Sequence, residues 1–398
     1  MNKNIYLDYN ATTPIHPEVK KVIIENFDVF GNPSSLHTPG RIAMEKINEA
    51  RSSVAKLINA EPEEIIFTAG ASESNNTVLK YVVCSPQSGC GEACRACVGK
   101  NEIITSAIEH PSIISTMDFI REQGGRPVVL GVKPNGKIDL NLLEKNITEK
   151  TALISIIMAN NEIGVIEDIK KIAEIAKKHG VLMHTDAVQA AGKIKIDVKE
   201  LNVDYLSLSG HKIYAPKGIG ILYVKKNTPY CPFIHGGHQE AGRRAGTLNN
   251  LGIIAMGKAA ELARNEMGAE SARIKVLRDK LKDGIVRSIS DISINGDHED
   301  ILPNTLNVSF AAAEGESILL YLDMEGIAVS TGSACSSDSL EPSHVLLALG
   351  LSPEFAHGSI RFSLGKDNTE SDIDYVLEKL PPIIEKIRKM STISRRKK

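Results

Sequence analysis

The sequence predicts an α/β fold, a large unit whose mostly parallel sheet is flanked by helices, followed by a smaller α+β unit. Three observations carry this. Between about residues 42 and 179, helical periodicity alternates with short β-branched runs, the pattern of strands joined by crossover helices. The runs at 65–68, 102–105, 153–158, 181–185, 205–209 and 220–224 read as buried strands. After Thr247 the texture changes to two long helical stretches, 251–267 and 271–289, which lead into strand-like 304–310, 327–330 and 359–362.

Ala43, Ile47, Ala50, Val54 and Leu57 recur at helical spacing and should form one buried face. With no Pro/Ser-rich linker and no internal repeat, the boundary falls near Gly257, within about ten residues. Residues 15–257 then form the large unit, 1–14 with 258–390 the smaller one, and 391–398 a solvated basic tail. A chain of 398 residues can bury a large core without a partner. A hydrophobic content of 42%, a charged content of 24% and a net charge of −2 are ordinary for a soluble protein and give no footprint for nucleic acid. No apolar run approaches the roughly 20 residues of a membrane helix, and the first ten residues lack the regions of a signal peptide. The expected compartment is the cytoplasm. Six cysteines are too few for a disulfide scaffold, so reduced thiols are the default.

The chemistry-bearing residues cluster at strand ends. The 205–209 run leads into Ser209-Gly210-His211-Lys212, followed by Pro216-Lys217-Gly218, which sets a lysine in a polar turn just beyond a buried strand. An amine there can form a Schiff base if its surroundings disfavour the ammonium form. Taken alone, such a lysine is more often a solvated surface residue. His184-Thr185-Asp186-Ala187-Val188-Gln189 ends an apolar strand with a carboxylate suited to a protonated pyridine nitrogen, although a helix cap is the commoner use of such an Asp. Gln189, one helical turn on, can reach the same ring's phenolic oxygen. Thr68-Ala69-Gly70-Ala71-Ser72 is a strand, a small-residue turn and a helix start, where free N–H groups and the helix dipole favour a phosphate.

Together with Leu7-Asp8-Tyr9-Asn10-Ala11-Thr12-Thr13-Pro14, these motifs resemble the cysteine desulfurases of the NifS and IscS type, from Tyr6 to about Asp374. The resemblance implies a fold-type-I, class-V aminotransferase architecture, with pyridoxal phosphate on Lys212 and a homodimer with its sites at the subunit interface. It implies that Ala71, Ser72, Ser209 and His211 hold the phosphate, with Thr247 of Arg244-Ala245-Gly246-Thr247 contributed by the partner. It places Asn161 near substrate and ring oxygen, and stacks His110, in Glu109-His110-Pro111-Ser112, on the ring as a manager of proton transfers.

Residues 330–342 are small and polar around one cysteine, Cys335, and should form a loop that presents a thiol. An exposed bystander thiol is the bland alternative. The resemblance makes Cys335 the carrier of a persulfide drawn from L-cysteine, with alanine as co-product and an acceptor such as an iron–sulfur scaffold protein as recipient. Arg361, between apolar neighbours in Ser359-Ile360-Arg361-Phe362, suits bidentate binding of the substrate carboxylate, where a structural salt bridge would be the default.

One stretch departs from the family pattern. Cys84, Cys90, Cys94 and Cys97, within an insert at about 84–100, have a spacing that suits one metal centre, either Zn2+ or an iron–sulfur cluster, with a slight preference for the latter; free or regulatory thiols are the alternative. Rival readings are transamination, selenocysteine cleavage, or a non-catalytic sulfur or metal carrier. Dependence of activity on Cys335 separates the first from desulfuration, and Lys212 argues against the last.

Overall fold

The computed structural model describes residues 4–81, 99–331 and 341–391. Its strands are β1 (Ile5–Tyr6), β2 (Ile65–Thr68), β3 (Glu102–Ser106), β4 (Arg126–Leu130), β5 (Thr151–Ser155), β6 (Leu182–Asp186), β7 (Tyr205–Ser209), β8 (Gly220–Val224), β9 (Ile292–Ile294), β10 (Thr305–Phe310), β11 (Ile327–Ala328) and β12 (Ser359–Ser363). The six apolar runs of the large unit become β2, β3, β5, β6, β7 and β8, all in one sheet of order β2-β8-β7-β6-β5-β3-β4. The seventh strand, β4, was not anticipated. Arg126 and Pro127 open it, and it lies at the sheet edge against β3 alone, where a proline with no N–H to give is tolerated.

Strands β3 to β7 pair in parallel, whereas β8 lies antiparallel to both β7 and β2. Six of the seven strands therefore run one way, and the carboxyl ends of β3, β5, β6 and β7 open on one edge of the sheet. Ligands of open α/β sheets bind at such an edge. Helix Thr38–Leu57 buries Ala43, Ile47, Ala50, Val54 and Leu57 as the periodicity predicts, and His37 caps its start by accepting from the Gly40 N–H.

The smaller unit has its own core. Strands β12, β10 and β9 form an antiparallel sheet, and β1 pairs in parallel with β11. The two helical stretches expected after Thr247 are one helix, Asn250–Ser288. Gly268, in the gap between them, costs only about 1 kcal/mol in a helix interior, and packing at both ends overrides it. Ile253, Met256 and Ala260 face the first core; Leu277, Leu281 and Ile285 face the second. Among the described residues, no helix is long and apolar enough to cross a membrane.

The register around Gly220 positions the site. Gly220 is opposite Thr68 on one side and Ser209 on the other, so the turn after β2 and the turn after β7 are neighbours. A Cβ at Gly220 would lie 2.7 Å from Gly70 Cα and 2.7 Å from Leu208 O, both backbone atoms that cannot swing aside. Gly220→Ala is expected to cost about 1–3 kcal/mol by overpacking, measured by urea denaturation. A variant with unchanged stability would contradict this packing.

Candidate active site

Lys212 reaches the sheet edge because a single 3-10 turn, Gly210–Lys212, follows β7 directly. A Cβ at Gly210 would meet Ile219 Cγ2 at 2.9 Å, so the turn is packed against the chain that leads into β8. Lys212 Nζ donates to the carbonyls of Asn10 and Ala11, both at 2.6 Å. The N-terminal segment is laced to the same turn: Thr13 N–H and Thr13 Oγ1 both donate to His211 O at 3.0 Å, and Tyr214 N–H donates to Thr13 Oγ1 at 2.9 Å.

Asp186 closes β6 and is almost fully buried. Its Oδ1 accepts from the Val188 N–H at 3.0 Å and its Oδ2 from Asn75 Nδ2 at 2.8 Å. It thus caps its own turn, and among the described residues no lysine or arginine forms an ion pair with it. Residues 188–193 make turns rather than the helix expected there. Gln189 is nonetheless buried at the site, where its Nε2 donates to Asn10 O at 2.9 Å.

His110 is the N-cap of helix Pro111–Glu122, just beyond β3. Its Nδ1 accepts from the Ser112 N–H at 3.1 Å, which places the proton of the neutral ring on Nε2. Ser112 Oγ lies 2.9 Å from the same Nδ1 and accepts from Asn75 Nδ2 at 2.9 Å. Asn75 therefore spends its amide protons on Asp186 and on the serine that orients His110. Sequence reasoning missed it, because Asn75 is one of three buried polar residues, with Ser74 and Thr77, on this helix. Burial holds the His110 pKa below the ordinary histidine value, with Lys212 and His344 adding to the effect and Asp186 opposing it. His211, whose Nδ1 is 3.1 Å from Thr12 Oγ1, is pushed down to about 4 by burial, then by Lys212, Lys217 and His110.

Ala71 and Ser72 begin helix Ala71–Tyr81, and Glu73 Oε2 caps the Ala69 N–H at 2.9 Å. The N–H groups of Ala71 and Ser72 have no hydrogen-bond partner among the described residues. Ser209 stands beside this helix start through the Gly220 register. Thr247 is different: it is exposed, in the segment before helix Asn250–Ser288, and makes no hydrogen bond to the other site residues.

Arg361 in β12 comes from the smaller unit and is 2% exposed. Its Nη2 donates to Asp8 Oδ1 at 2.7 Å and its Nη1 to Asn161 O at 3.1 Å, while its buried Nε has no partner. The salt bridge that was the default reading exists, and a donor remains. Asn161 follows β5 and also receives Asn10 Nδ2 on its carbonyl at 3.1 Å. Cys335 and the insert cysteines Cys84, Cys90, Cys94 and Cys97 lie outside the described residues.

The class-V aminotransferase family model matches residues 5–376. Over 392 residues the chain is 48% identical to the cysteine desulfurase IscS of Dictyoglomus turgidum, covering 98% of this chain and 97% of that protein. The chain belongs to the class-V aminotransferases, as a cysteine desulfurase of the NifS/IscS type. A solved NifS-like protein matches it with a TM-score of 0.88 at 38% identity, covering 96% of this chain and all of the other. The structure of SspA in complex with cysteine matches with a TM-score of 0.78 at 36% identity, covering 91% and 99%. These likenesses bear out the fold class and family expected from the motifs.

The family implies pyridoxal phosphate, and the residues of this desulfurase fit it. Two unpartnered helix N–H groups suit the phosphate, a buried carboxylate without a cation suits the pyridine nitrogen, and the amine stands at the end of the next strand. The His110 titration midpoint, followed by NMR of the histidine ring, is expected below the usual value of about 6.5. Because the Asp186 charge favours the protonated ring, Asp186→Asn should lower the midpoint further. A wild-type midpoint above about 6.5 would exclude a neutral ring set by burial.

Proposed function

We propose that the protein uses pyridoxal phosphate to take sulfur from L-cysteine, holds it as a persulfide on Cys335 and releases L-alanine. The carrying observation is the placement of the chain on either side of Cys335. Before it, Ser330 and Arg361 exchange backbone hydrogen bonds, at 3.3 and 2.7 Å. After it, Ser343 Oγ donates to Glu162 Oε2 at 2.5 Å and the His344 ring bonds Glu109 O at 2.9 Å. Both flanks are thus fastened to the residues that surround the site of Lys212, Asp186 and Arg361.

Bound pyridoxal phosphate supplies the electron sink that makes the substrate Cα proton acidic and its Cβ–Sγ bond cleavable. Ala71, Ser72, Ser209 and His211 would hold its phosphate, Asp186 would support a protonated ring nitrogen, and Gln189 and Asn161 would serve its ring oxygen. Arg361 binds the substrate carboxylate through the donor that Asp8 and Asn161 leave over. Lys212, as a neutral amine, removes the Cα proton, and His110 manages later proton transfers from Nε2. Cys335 thiolate attacks the substrate Sγ; an S–S bond forms as Cβ–Sγ breaks, and the electron pair left on Cβ is protonated to give the methyl group of alanine. The similar SspA structure, solved with cysteine, supports this substrate.

A homodimer completes the site. Phe30 is 82% and Leu36 89% exposed, with Ile24 and Phe27 beside them, an apolar patch of the kind a second copy covers. Asn250 Nδ2 bonds the carbonyls of Val29 and Gly31, which puts Thr247, three residues earlier, next to that patch. This supports Thr247 as a phosphate ligand given to the partner. The sulfur recipient is an acceptor protein such as an iron–sulfur scaffold, and the compartment is the cytoplasm. Cys84, Cys90, Cys94 and Cys97 form a thiolate metal centre, iron–sulfur in preference to zinc, on the strength of their spacing.

Incubation with labelled L-cysteine should place one extra sulfur on the Cys335 peptide by mass spectrometry, and Cys335→Ala should abolish both persulfide and alanine. Alanine formation undiminished in that variant would overturn the assignment. The same protein, prepared anaerobically, should sediment as a dimer and carry metal that Cys94→Ser/Cys97→Ser loses; metal-free wild type removes the metal centre alone.

A further inference from the structure

Behind Lys212 lies a second lysine that the family chemistry leaves unused. Lys193 follows Gly192, whose φ of 69° turns the chain back from Gln189, and a Cβ at Gly192 would touch Ala263 and Ile213 at 3.3 Å. Its carbonyl is held by Ser271 Oγ at 2.7 Å. The side chain is therefore aimed, not loose. Lys193 Nζ donates to Gln189 O at 3.0 Å and to Gln189 Oε1 at 3.2 Å. That fixes the amide: with Oε1 facing Lys193, Nε2 must face Asn10 O, the same carbonyl that accepts from Lys212 Nζ. Three hydrogen bonds join the two amines.

Lys193 also borders a partly open cavity of about 40 Å3 between the two cores, room for water but not for substrate. The other charged groups there have their own partners. Glu266 pairs with Lys366, and Glu270 pairs with Arg273 at 2.5 Å. Tyr9, Tyr214, His16 and Lys212 itself complete the titratable lining. No carboxylate of the described residues forms an ion pair with Lys193. On the Lys212 side stand Asp186, His110, His211 and Lys217.

We propose that Lys193 is a positioning residue for Lys212: through Gln189 and Asn10 it orders the hydrogen bonds around the cofactor lysine, and as an unpaired second cation it keeps that amine in its neutral, reactive form. This rests on the reading of Lys212 as the cofactor-binding base. Two cations close together in a poorly hydrated site each disfavour the other's proton, which is a recognised way to activate a lysine. Burial, with Lys212 adding to it, lowers Lys193 to about 7, so the two amines share one site's tolerance for charge.

The test uses Lys193→Met, which removes both charge and donor, and Lys193→Gln, which keeps a donor. In the holoenzyme, the pH titration of the bound cofactor's visible absorbance should move upward by about one unit in both variants, a roughly tenfold change in proton affinity. In the full chain freed of cofactor, competitive acetylation read by peptide mass spectrometry should show Lys212 roughly tenfold less reactive near neutral pH. The kcat should fall with the KM for L-cysteine nearly unchanged. A Lys212 titration identical to wild type in a folded Lys193→Gln protein overturns the proposal and leaves Lys193 structural. Failure of the functional reading is separately visible, as a wild type that makes no alanine.

Discussion

At Gly220 the backbone of β8 passes between Thr68 and Ser209 with no space for a side chain, and this close approach sets the distances in the site. Were β8 further from either neighbour, the helix start at Ala71 and the turn at Lys212 would separate. Phosphate binding and imine formation would then occur in different places. One antiparallel strand in an otherwise co-directional sheet thus brings together two turns that are about 140 residues apart in sequence, with β6 and Asp186 next in line.

The N-terminal segment is the second constraint. β1 joins it to the smaller unit, Asp8 pairs with Arg361, and Asn10 lies in a buried polar network with Thr305, Asn304 and the Asn161 carbonyl. From there Asn10 and Ala11 accept from Lys212. Arg361 of one unit and Lys212 of the other are in this way tied to a common strap. Such a network is costly unless it is satisfied, and Arg361 Nε and Asn75 Oδ1 are among the buried atoms left without partners.

Electrostatics follow from burial more than from pairing. Glu109 is raised to about 8 and Glu162 to about 7, both chiefly by desolvation, and His184, between Ser155 and Ser207, is lowered to about 3 for the same reason. The floor of the site is therefore a largely uncharged medium. Against it any charge at the strand ends acts with little screening.

Strand-end chemistry was legible in the sequence because buried parallel strands read as continuous apolar runs, and a polar residue that ends such a run must lie on the functional edge. Lys212, Asp186 and the Ala71-Ser72 helix start were found in this way, and Arg361 by its isolation among apolar neighbours. Asn75, Ser112 and Lys193 were not, since each looks like an ordinary helix or turn residue until the residues it touches are known. β4 escaped because its proline and exposed arginine carry no buried-strand signature, and the break after residue 267 vanished because packing at both ends outweighs one glycine. The order of residues along the chain thus determined at which strand ends the candidate groups stand. Only the tertiary structure decided how they are connected, because hydrogen-bond partners such as Asn10 and Lys212, or Asn75 and Asp186, are set by strand register and close packing, which local sequence does not encode.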